Sequence, residues 1–273
     1  MIPNDPKARA AWTYNTASGS FDDPALSFWD RFGARTVDRL RLAPGSRVLD
    51  ACCGTGASAL PAAEAVGPSG SVLGVDLAEA MLERARAKAA ARGLRQATFR
   101  VGDIEALGLP ESSFDAVVCV FGIFFVDDMV GAVRSLWRLV RPGGVLGITT
   151  WGRGVFEPAD RAFWAAVSRE REDLARAFAP WDRANTPELL RALLADAGVS
   201  PSHVELEPAR HPLPDPSAWW RIVMGSGYRA TVEQLDPAAR ARIRETVENG
   251  LRAAGVSEVT ADVVYGAARR DAV

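Results

Sequence analysis

Short apolar runs alternate with amphipathic stretches from Arg47 to Thr150. The runs predict strands, because each is short, apolar and bounded by polar or glycine-containing turns. These strands are predicted at 47–51, 71–76, 97–101, 114–120 and 145–150. The intervening stretches predict helices at 57–66, 78–92 and 128–140. Apolar strands that alternate with helices indicate a doubly wound, Rossmann-like α/β fold, whose mostly parallel sheet is covered on both faces.

The segments that flank this region have a different pattern. Residues 1–44 are polar with scattered aromatic side chains, and they lead into a helix predicted around Pro24–Leu42. Beyond the alternating region the chain is largely helical, with one helix predicted at 186–198 between a threonine cap and a terminal glycine. Strand-like stretches at 203–206 and 258–267 are expected to complete the sheet with an antiparallel C-terminal strand.

Composition narrows the classes of partner. The formal net charge is −2, which lacks the surplus of cations that binding to nucleic acid requires. The three cysteines, Cys52, Cys53 and Cys119, form no C-x-x-C pair, so neither a disulfide framework nor a metal site is expected. The apolar run at 116–126 is too short to span a bilayer, and the N-terminus lacks a signal-peptide pattern. These features predict a cytoplasmic protein without a nucleic-acid partner, a metal or a membrane span.

A glycine-rich turn follows the first predicted strand. Residues 48–56 read VLDACCGTG, so that Asp50 precedes a turn whose glycines let a ligand approach the backbone closely. Asp76 ends the second predicted strand, and Asp103 follows the third. The carboxyl ends of parallel strands meet at one edge of a sheet. We therefore expect the three carboxylates to lie along a single crevice, where doubly wound folds bind their ligands.

Two classes of ligand match this arrangement. Residues 54–59 satisfy the G-x-G-x-x-G/A fingerprint of dinucleotide-binding folds, and Asp76 lies at a suitable distance beyond it. A dinucleotide, however, would bring its anionic pyrophosphate close to the Asp50 carboxylate. S-adenosyl-L-methionine (SAM) instead presents an ammonium and a sulfonium group, which suit an acidic neighbourhood. The sequence therefore favours SAM, and it also lacks the Tyr-x-x-x-Lys pair of hydride chemistry.

Four stretches resemble the class I SAM-dependent methyltransferases, particularly the branch of ubiquinone- and menaquinone-biosynthesis C-methyltransferases and natural-product methyltransferases. They are RVLDACCGTG at 47–56, VLGVDLAEAML at 72–82, VGDIEALGLPESSFDAVVCVFGIFFVDD at 101–128 and LVRPGGVLGITTW at 139–151. The resemblance implies one compact domain with a SAM-binding core at 45–151. Residues 1–44 would form an N-terminal helical cap, and residues 152–273 would supply a helical lid and the last strands. One departure is Cys52, which stands at the first glycine position of D-x-G-x-G-x-G.

The resemblance also implies which residues bind SAM. The methionine portion is expected at Asp50, Gly54, Thr55 and Gly56, and the ribose at Asp76 and Leu77. The adenine is expected between Met81 and Ile104, with its amine at Asp103. Phe121 and Gly122 should lie near the sulfonium and the substrate. Ala51, Cys52 and Gly102 complete the expected set.

The methyl acceptor and any general base are left open. Tyr14, His211 and Tyr228 are candidate catalytic side chains, although no motif supports any of them. Several aromatic residues expected near the crevice mouth favour a small apolar or aromatic metabolite, natural-product or quinone-like: Trp12, Phe21, Phe124, Phe125, Trp219 and Trp220. Methylation on oxygen, carbon or nitrogen is not distinguished, and a homodimer stays open. A nicotinamide-dependent oxidoreductase and a non-catalytic SAM-binding protein remain the alternatives.

Overall fold

The computed structural model of the chain describes residues 2–175 and 179–272. These residues contain nine strands: β1 (Arg47–Ala51), β2 (Ser71–Asp76), β3 (Ala97–Val101), β4 (Phe114–Val120), β5 (Val140–Trp151), β6 (His203–Glu207), β7 (Arg210–Pro212), β8 (Glu258–Thr260) and β9 (Val263–Arg269). They also contain ten α-helices: α1 (Pro6–Phe21), α2 (Phe28–Leu40), α3 (Ala59–Val66), α4 (Glu79–Ala91), α5 (Met129–Leu139), α6 (Ala159–Glu170), α7 (Pro187–Asp196), α8 (Ser217–Met224), α9 (Arg229–Val232) and α10 (Pro237–Ala253).

The large sheet has seven strands in the order β3-β2-β1-β4-β5-β9-β6. Strands β1 to β5 run parallel to one another, whereas β9 is antiparallel to both β5 and β6. This topology confirms the predicted doubly wound α/β fold with an antiparallel C-terminal strand. The chain order reverses between β1 and β4, and such a switch point opens a crevice at the carboxyl ends of the strands.

Two clusters of buried apolar side chains cover the two faces of the sheet. One cluster lies beneath α2, α3 and α4. The other joins α5 and α7 to the helices of the C-terminal half, α6, α8 and α10. Burial on both faces explains why the parallel strands are apolar throughout rather than alternating. None of the helices in the described ranges has both the length and the apolar character needed to cross a membrane.

Two of the predicted elements differ from those observed. Strand β5 begins at Val140, before the expected start at Val145. Residues 141–144 have a turn-like sequence, but they belong to the strand, and the register of β5 against β4 shifts at this point. The strand-like stretch at 258–267 divides into β8 and β9, and β8 pairs with β7 outside the main sheet.

Helix α1 is the element that the sequence pattern does not predict. It contains few large apolar residues, and its buried positions are Thr13, Ala17 and Phe21. Pro6 stands in its first turn, and Asp5 caps its start by accepting a hydrogen bond from the Ala8 amide. The helix contacts α4 on one side and both α8 and α9 on the other, so it lies across the carboxyl edge of the sheet.

Candidate functional site

A cavity of about 120 Å³ lies under α1, at the carboxyl ends of β1, β2 and β4. Residues from four parts of the chain line it: Cys52, Cys53, Gly54, Ala57 and Ser58 after β1; Asp76, Leu77, Ala78 and Met81 from the end of β2 into α4; Val120, Phe121, Gly122 and Phe125 after β4; and Ala10, Ala11, Tyr14, Phe21 and Trp29 from the N-terminal helices. The crevice predicted from the strand ends therefore exists, and α1 closes its mouth.

The loop after β1 turns sharply through three residues with positive φ. Cys52, Gly54 and Gly56 have φ angles of 63°, 52° and 90°. A cysteine in this left-handed region carries a steric cost of about 1 kcal/mol that glycine would not have. Gly122 faces it, since a Cβ added at Gly122 would lie 2.4 Å from the Cβ of Cys52. The departure from the glycine pattern at Cys52 thus keeps the glycine-like backbone and fills the space left by Gly122.

Asp76 connects the end of β2 to the loop after β1, residues 52–56, which we call the glycine loop. Its Oδ2 accepts a hydrogen bond from the Gly54 amide at 2.9 Å, and its Oδ1 accepts one from the Ala78 amide at 2.9 Å. Burial raises the pKa of this carboxyl, although the hydrogen bonds oppose the effect. Because a carboxylate oxygen accepts more than one hydrogen bond, both oxygens retain capacity for ligand hydroxyls on the cavity side.

Asp50 lies directly behind Ser58, which lines the cavity. Its side chain is fully buried, and its Oδ2 accepts a hydrogen bond from Ser58 Oγ at 2.7 Å. Its Oδ1 has no hydrogen-bond partner within the described ranges. Burial raises the pKa of Asp50 to about 7, and the neighbouring charge of Asp76 contributes in the same direction. A buried carboxyl in this condition is stabilised by a nearby positive charge or hydrogen-bond donor.

No lysine or arginine is found among the described residues that line the cavity. Lys88 and Arg84 approach the loop only from its outer side, where both bind Asp22 at 3.0 and 2.9 Å. Thr55 also turns outward, because its hydroxyl donates to Asp22 at 2.7 Å. The cavity therefore has the Asp76 carboxyl on its wall, the Asp50 carboxyl directly behind Ser58 and no basic side chain among its described lining residues, which favours a cationic ligand over a phosphate.

Of the expected adenine contacts, Met81 lines the cavity, whereas Asp103 and Ile104 lie outside its lining. Asp103 accepts hydrogen bonds from Lys7 Nζ at 2.7 Å and from the Glu105 amide, and Lys7 also pairs with Glu105 at 2.5 Å. Gly102 and Ile104 do not line the cavity either, and Ile104 is buried in the core. Burial would raise the pKa of Asp103, but the contacts with Lys7 and the Glu105 amide outweigh it and lower the pKa. The roles of these positions toward adenine stay predictions.

Three further members of the expected set sit behind the cavity rather than on its wall. They are Ala51, which is fully buried in β1, together with Thr55 and Gly56. By contrast Cys52, Gly54, Asp76, Leu77, Met81, Phe121 and Gly122 all line it. Sequence reasoning missed eight lining residues, three from α1 and α2 and five from the loops and strand ends of the core: Ala10, Ala11, Trp29, Cys53, Ala57, Ser58, Ala78 and Val120.

The three catalytic candidates, Tyr14, His211 and Tyr228, lie in different parts of the structure. Tyr14 lines the cavity and packs edge-on against Phe125, with ring centroids 5.6 Å apart. Burial raises the pKa of its hydroxyl. His211 bonds the Ala25 carbonyl at 2.8 Å, which joins β7 to the segment between α1 and α2, and Tyr228 donates to Asp160 in α6. Neither of these two lines the cavity.

A second cavity of about 480 Å³ adjoins the first across Tyr14 and Phe125. It lies between the start of α1, the turn at Ile123–Phe125 and the turn at Pro180–Arg183. Its volume is within the range of about 300–1,000 Å³ that is usual for small-molecule sites. Ala10, Tyr14 and Phe125 line both cavities and form the partition between them.

Comparisons with known proteins agree with this geometry. A family model described as a methyltransferase domain matches residues 48–144. The nocamycin O-methyltransferase of Saccharothrix syringae is 31% identical over 245 residues, which cover 88% of this chain and 81% of that protein. The aklanonic acid methyltransferase DauC of Streptomyces sp. (strain C5) is 38% identical over 144 residues, which cover 53% of this chain and 66% of that protein.

Among solved structures, the crystal structure of the 4+2 cyclase SpnF superimposes with a TM-score of 0.62 at 19% identity, covering 100% of this chain and 99% of that one. A likeness at this identity shows a shared fold alone. Its title names a cyclase, so the fold by itself does not identify the reaction.

Proposed function

We propose that this chain, which belongs to the SAM-dependent methyltransferases, transfers a methyl group to an ionised oxygen of a small, largely apolar metabolite. The family membership rests on the relative that is 31% identical and aligned over 81% of its length. The observation that carries the donor's place in the fold is a cavity with Asp76 on its wall, Asp50 directly behind the lining residue Ser58, and no basic side chain among its described lining residues. When bound there, SAM supplies a methyl group on a positively charged sulfur.

In this proposal, different residues of the cavity bind different parts of SAM. Asp76 accepts hydrogen bonds from the ribose hydroxyls while its other lone pairs hold the Gly54 and Ala78 amides. Met81 and Leu77 pack against the nucleoside. The methionine end lies along the glycine loop, where Asp50 and Ser58 favour its ammonium group.

The affinity for SAM is expected to rise about tenfold between about pH 6 and about pH 8. The pKa of Asp50 is about 7 before binding, and a cationic ligand favours the ionised carboxylate. Binding below this pKa must therefore release a proton. The same raised pKa gives the opposite sign for folding, because the ligand-free protein loses stability as the pH rises from about 4 to about 7.

Titration calorimetry in two buffers of different ionisation enthalpy measures this proton release. Asp50→Asn is the matched variant, and its affinity for SAM should be nearly independent of pH over the same range. A wild-type affinity that falls with rising pH would contradict the assignment of Asp50.

The acceptor oxygen is proposed to be ionised before it binds, because the described lining of the two cavities includes no histidine and, on the acceptor side, a single carboxylate, Asp127. The pKa of Tyr14 is raised, which keeps its hydroxyl protonated. Asp76 is already engaged by two amides. A carboxylate or an acidic enolate needs no base. The printed names of the two relatives, an O-methyltransferase and a methyltransferase of an acid, support this choice.

With such an acceptor, catalysis reduces to orientation and exclusion of water. The ionised oxygen attacks the methyl carbon as the carbon–sulfur bond breaks, and the electron pair of that bond stays on sulfur. The products are a methyl ester or enol ether and S-adenosylhomocysteine (SAH), whose thioether sulfur carries no charge. The described residues need only hold the two reactants in line.

The second cavity is the proposed acceptor site. Gly227 lines it and does not have a positive φ, and a Cβ there would meet only the Tyr14 hydroxyl at 3.6 Å. Gly227→Leu should therefore fill the cavity and raise the acceptor KM about tenfold, while SAH affinity stays within about twofold. Gly250→Leu, in exposed α10, is the matched control and should change neither quantity. Equal effects of both variants on the acceptor KM would argue against this site.

The reaction itself is tested with methyl-labelled SAM and acceptors in matched sets. Polycyclic aromatic acids and acidic enols should be labelled, whereas the corresponding esters and simple phenols should not. Label on a carboxyl product should be released by mild alkali, because it is a methyl ester. Alkali-stable label on carbon or nitrogen would refute O-methylation but leave methyl transfer intact.

A cytoplasmic location and a lack of nucleic-acid partners complete the proposal. The three free thiols and the net charge of −2 support these points.

A further inference from the structure

Trp29 carries a hydrogen-bond donor that the fold leaves unused. Its ring lines the donor cavity, and its Nε1 is buried without a partner within the described residues. An indole N–H can act only as a donor, and a buried donor without an acceptor destabilises a protein. Such a group in a cavity wall is typical of a site whose ligand supplies the missing acceptor.

Aromatic contacts hold this indole in one orientation. Its ring stacks on Phe21 at a centroid distance of 5.1 Å and an angle of 4°, and it packs against Phe28, Phe121 and Trp151 at 4.7, 5.5 and 5.6 Å. Phe21 in turn lies over the glycine loop, since a Cβ at Gly54 would be 3.9 Å from its ring. The indole is therefore rigid, and its ring lies beside the phenyl ring that covers the glycine loop.

Few other side chains on this wall could receive an anion. Ser58 donates its hydroxyl to Asp50, and no lysine or arginine lines the cavity in the described ranges. Tyr14 lies beside Phe125, at the partition from the second cavity. Asp50 and Asp76 suit the ammonium and hydroxyl groups of SAM but repel its carboxylate.

We propose that the indole N–H of Trp29 donates a hydrogen bond to the α-carboxylate of bound SAM. This assignment rests on the proposed donor site and adds a donor-binding residue from α2. It explains why a polar aromatic side chain stands in an otherwise apolar ring cluster. It also gives the carboxylate a neutral partner, so the cavity keeps its preference for ligands with positive charge.

The test compares two ligands that differ only in that carboxylate, SAH and decarboxylated SAH, by titration calorimetry. Trp29→Phe keeps a ring but removes the N–H, and it should weaken SAH binding about tenfold while decarboxylated SAH changes by less than about twofold. Trp219→Phe is the matched control, because Trp219 is also a buried indole with an unpartnered N–H, yet it lines neither cavity. That variant should alter neither affinity.

The ratio of the two affinities separates the possible results. Loss of the wild-type preference for SAH in Trp29→Phe supports the hydrogen bond, and a general loss of packing cannot produce it. Equal weakening of both ligands, or a change confined to the acceptor KM, would overturn the assignment and leave the methyltransferase function standing. Wild-type protein that binds neither ligand would overturn the donor site itself.

Discussion

Replacing Asp76 by asparagine is expected to weaken SAM binding about 100-fold. Hydrogen bonds to a charged group contribute about 1.5–3 kcal/mol each, and Asp76 is assigned two from the ribose hydroxyls. In the wild-type protein the amide nitrogens of Gly54 and Ala78 each donate to an Asp76 oxygen at 2.9 Å. The side-chain amide of asparagine would place its own NH₂ donor against one of these two nitrogens. A loss of about 3 kcal/mol corresponds to about two orders of magnitude in Kd.

Titration calorimetry with SAM measures this loss, and thermal unfolding of the ligand-free variant checks that the fold survives. Asp103→Asn is the matched control at the neighbouring strand end. Its carboxylate is more exposed and already bound to Lys7, so losing its predicted hydrogen bond to the adenine amine should change SAM affinity by less than about fivefold. A folded Asp76→Asn protein with wild-type affinity would show that the donor lies elsewhere.

Replacing Gly33 by alanine is expected to destabilise the protein by about 3 kcal/mol. Gly33 lies in α2, and a Cβ there would be 2.3 Å from the carbonyl oxygen of Ala57 and 2.9 Å from the amide nitrogen of Ser58. Because backbone atoms cannot rotate away, either the helix or the glycine loop must shift. We therefore expect weaker SAM binding in addition to the loss of stability.

Thermal unfolding measures the effect, which should lower Tm by about 5 °C in a chain of this length. Gly19→Ala is the control, since Gly19 lies in exposed α1 with no atom within 4 Å of the added Cβ. That change should leave the protein equally stable or stabilise it by up to about 1 kcal/mol, because alanine favours a helix. Equal melting temperatures for the two variants would mean that α2 does not press on the loop.

The sheet and the loop after β1 could be predicted because their signals are local. Short apolar runs mark the strands, and VLDACCGTG places Asp50 and the turn glycines at fixed positions on one strand end. Asp76, at the end of the next strand, then meets the same edge through the regular geometry of parallel pairing. Residues fixed by strand position in this way, such as Gly54 and Asp76, do lie on the cavity wall.

The remaining parts depend on contacts between segments that are distant in the sequence. Nothing local shows that Thr55 turns outward to Asp22, or that Lys7 from α1 reaches Asp103. Both lysines of the chain, Lys7 and Lys88, hold an end of α1 in this way. The helix is stabilised by these ion pairs and by tertiary packing, which is why its own apolar pattern does not predict it.

Trp29 and His211 illustrate the same limit for single residues. His211 is a catalytic candidate from the sequence, whereas no sequence pattern singles out Trp29. The fold reverses these interpretations, because Trp29 lines the cavity whereas His211 is 3% exposed and bound to a carbonyl. Only the packing of α2 on the glycine loop distinguishes them.

The central claim is that the cavity at the strand ends is electrostatically suited to a cationic methyl donor. Titration of the wild-type protein with SAM and with NAD, at the same pH and ionic strength, tests it most directly. We predict a Kd for SAM in the micromolar range and no measurable heat from NAD at millimolar concentration. Tight binding of NAD without binding of SAM would contradict the account.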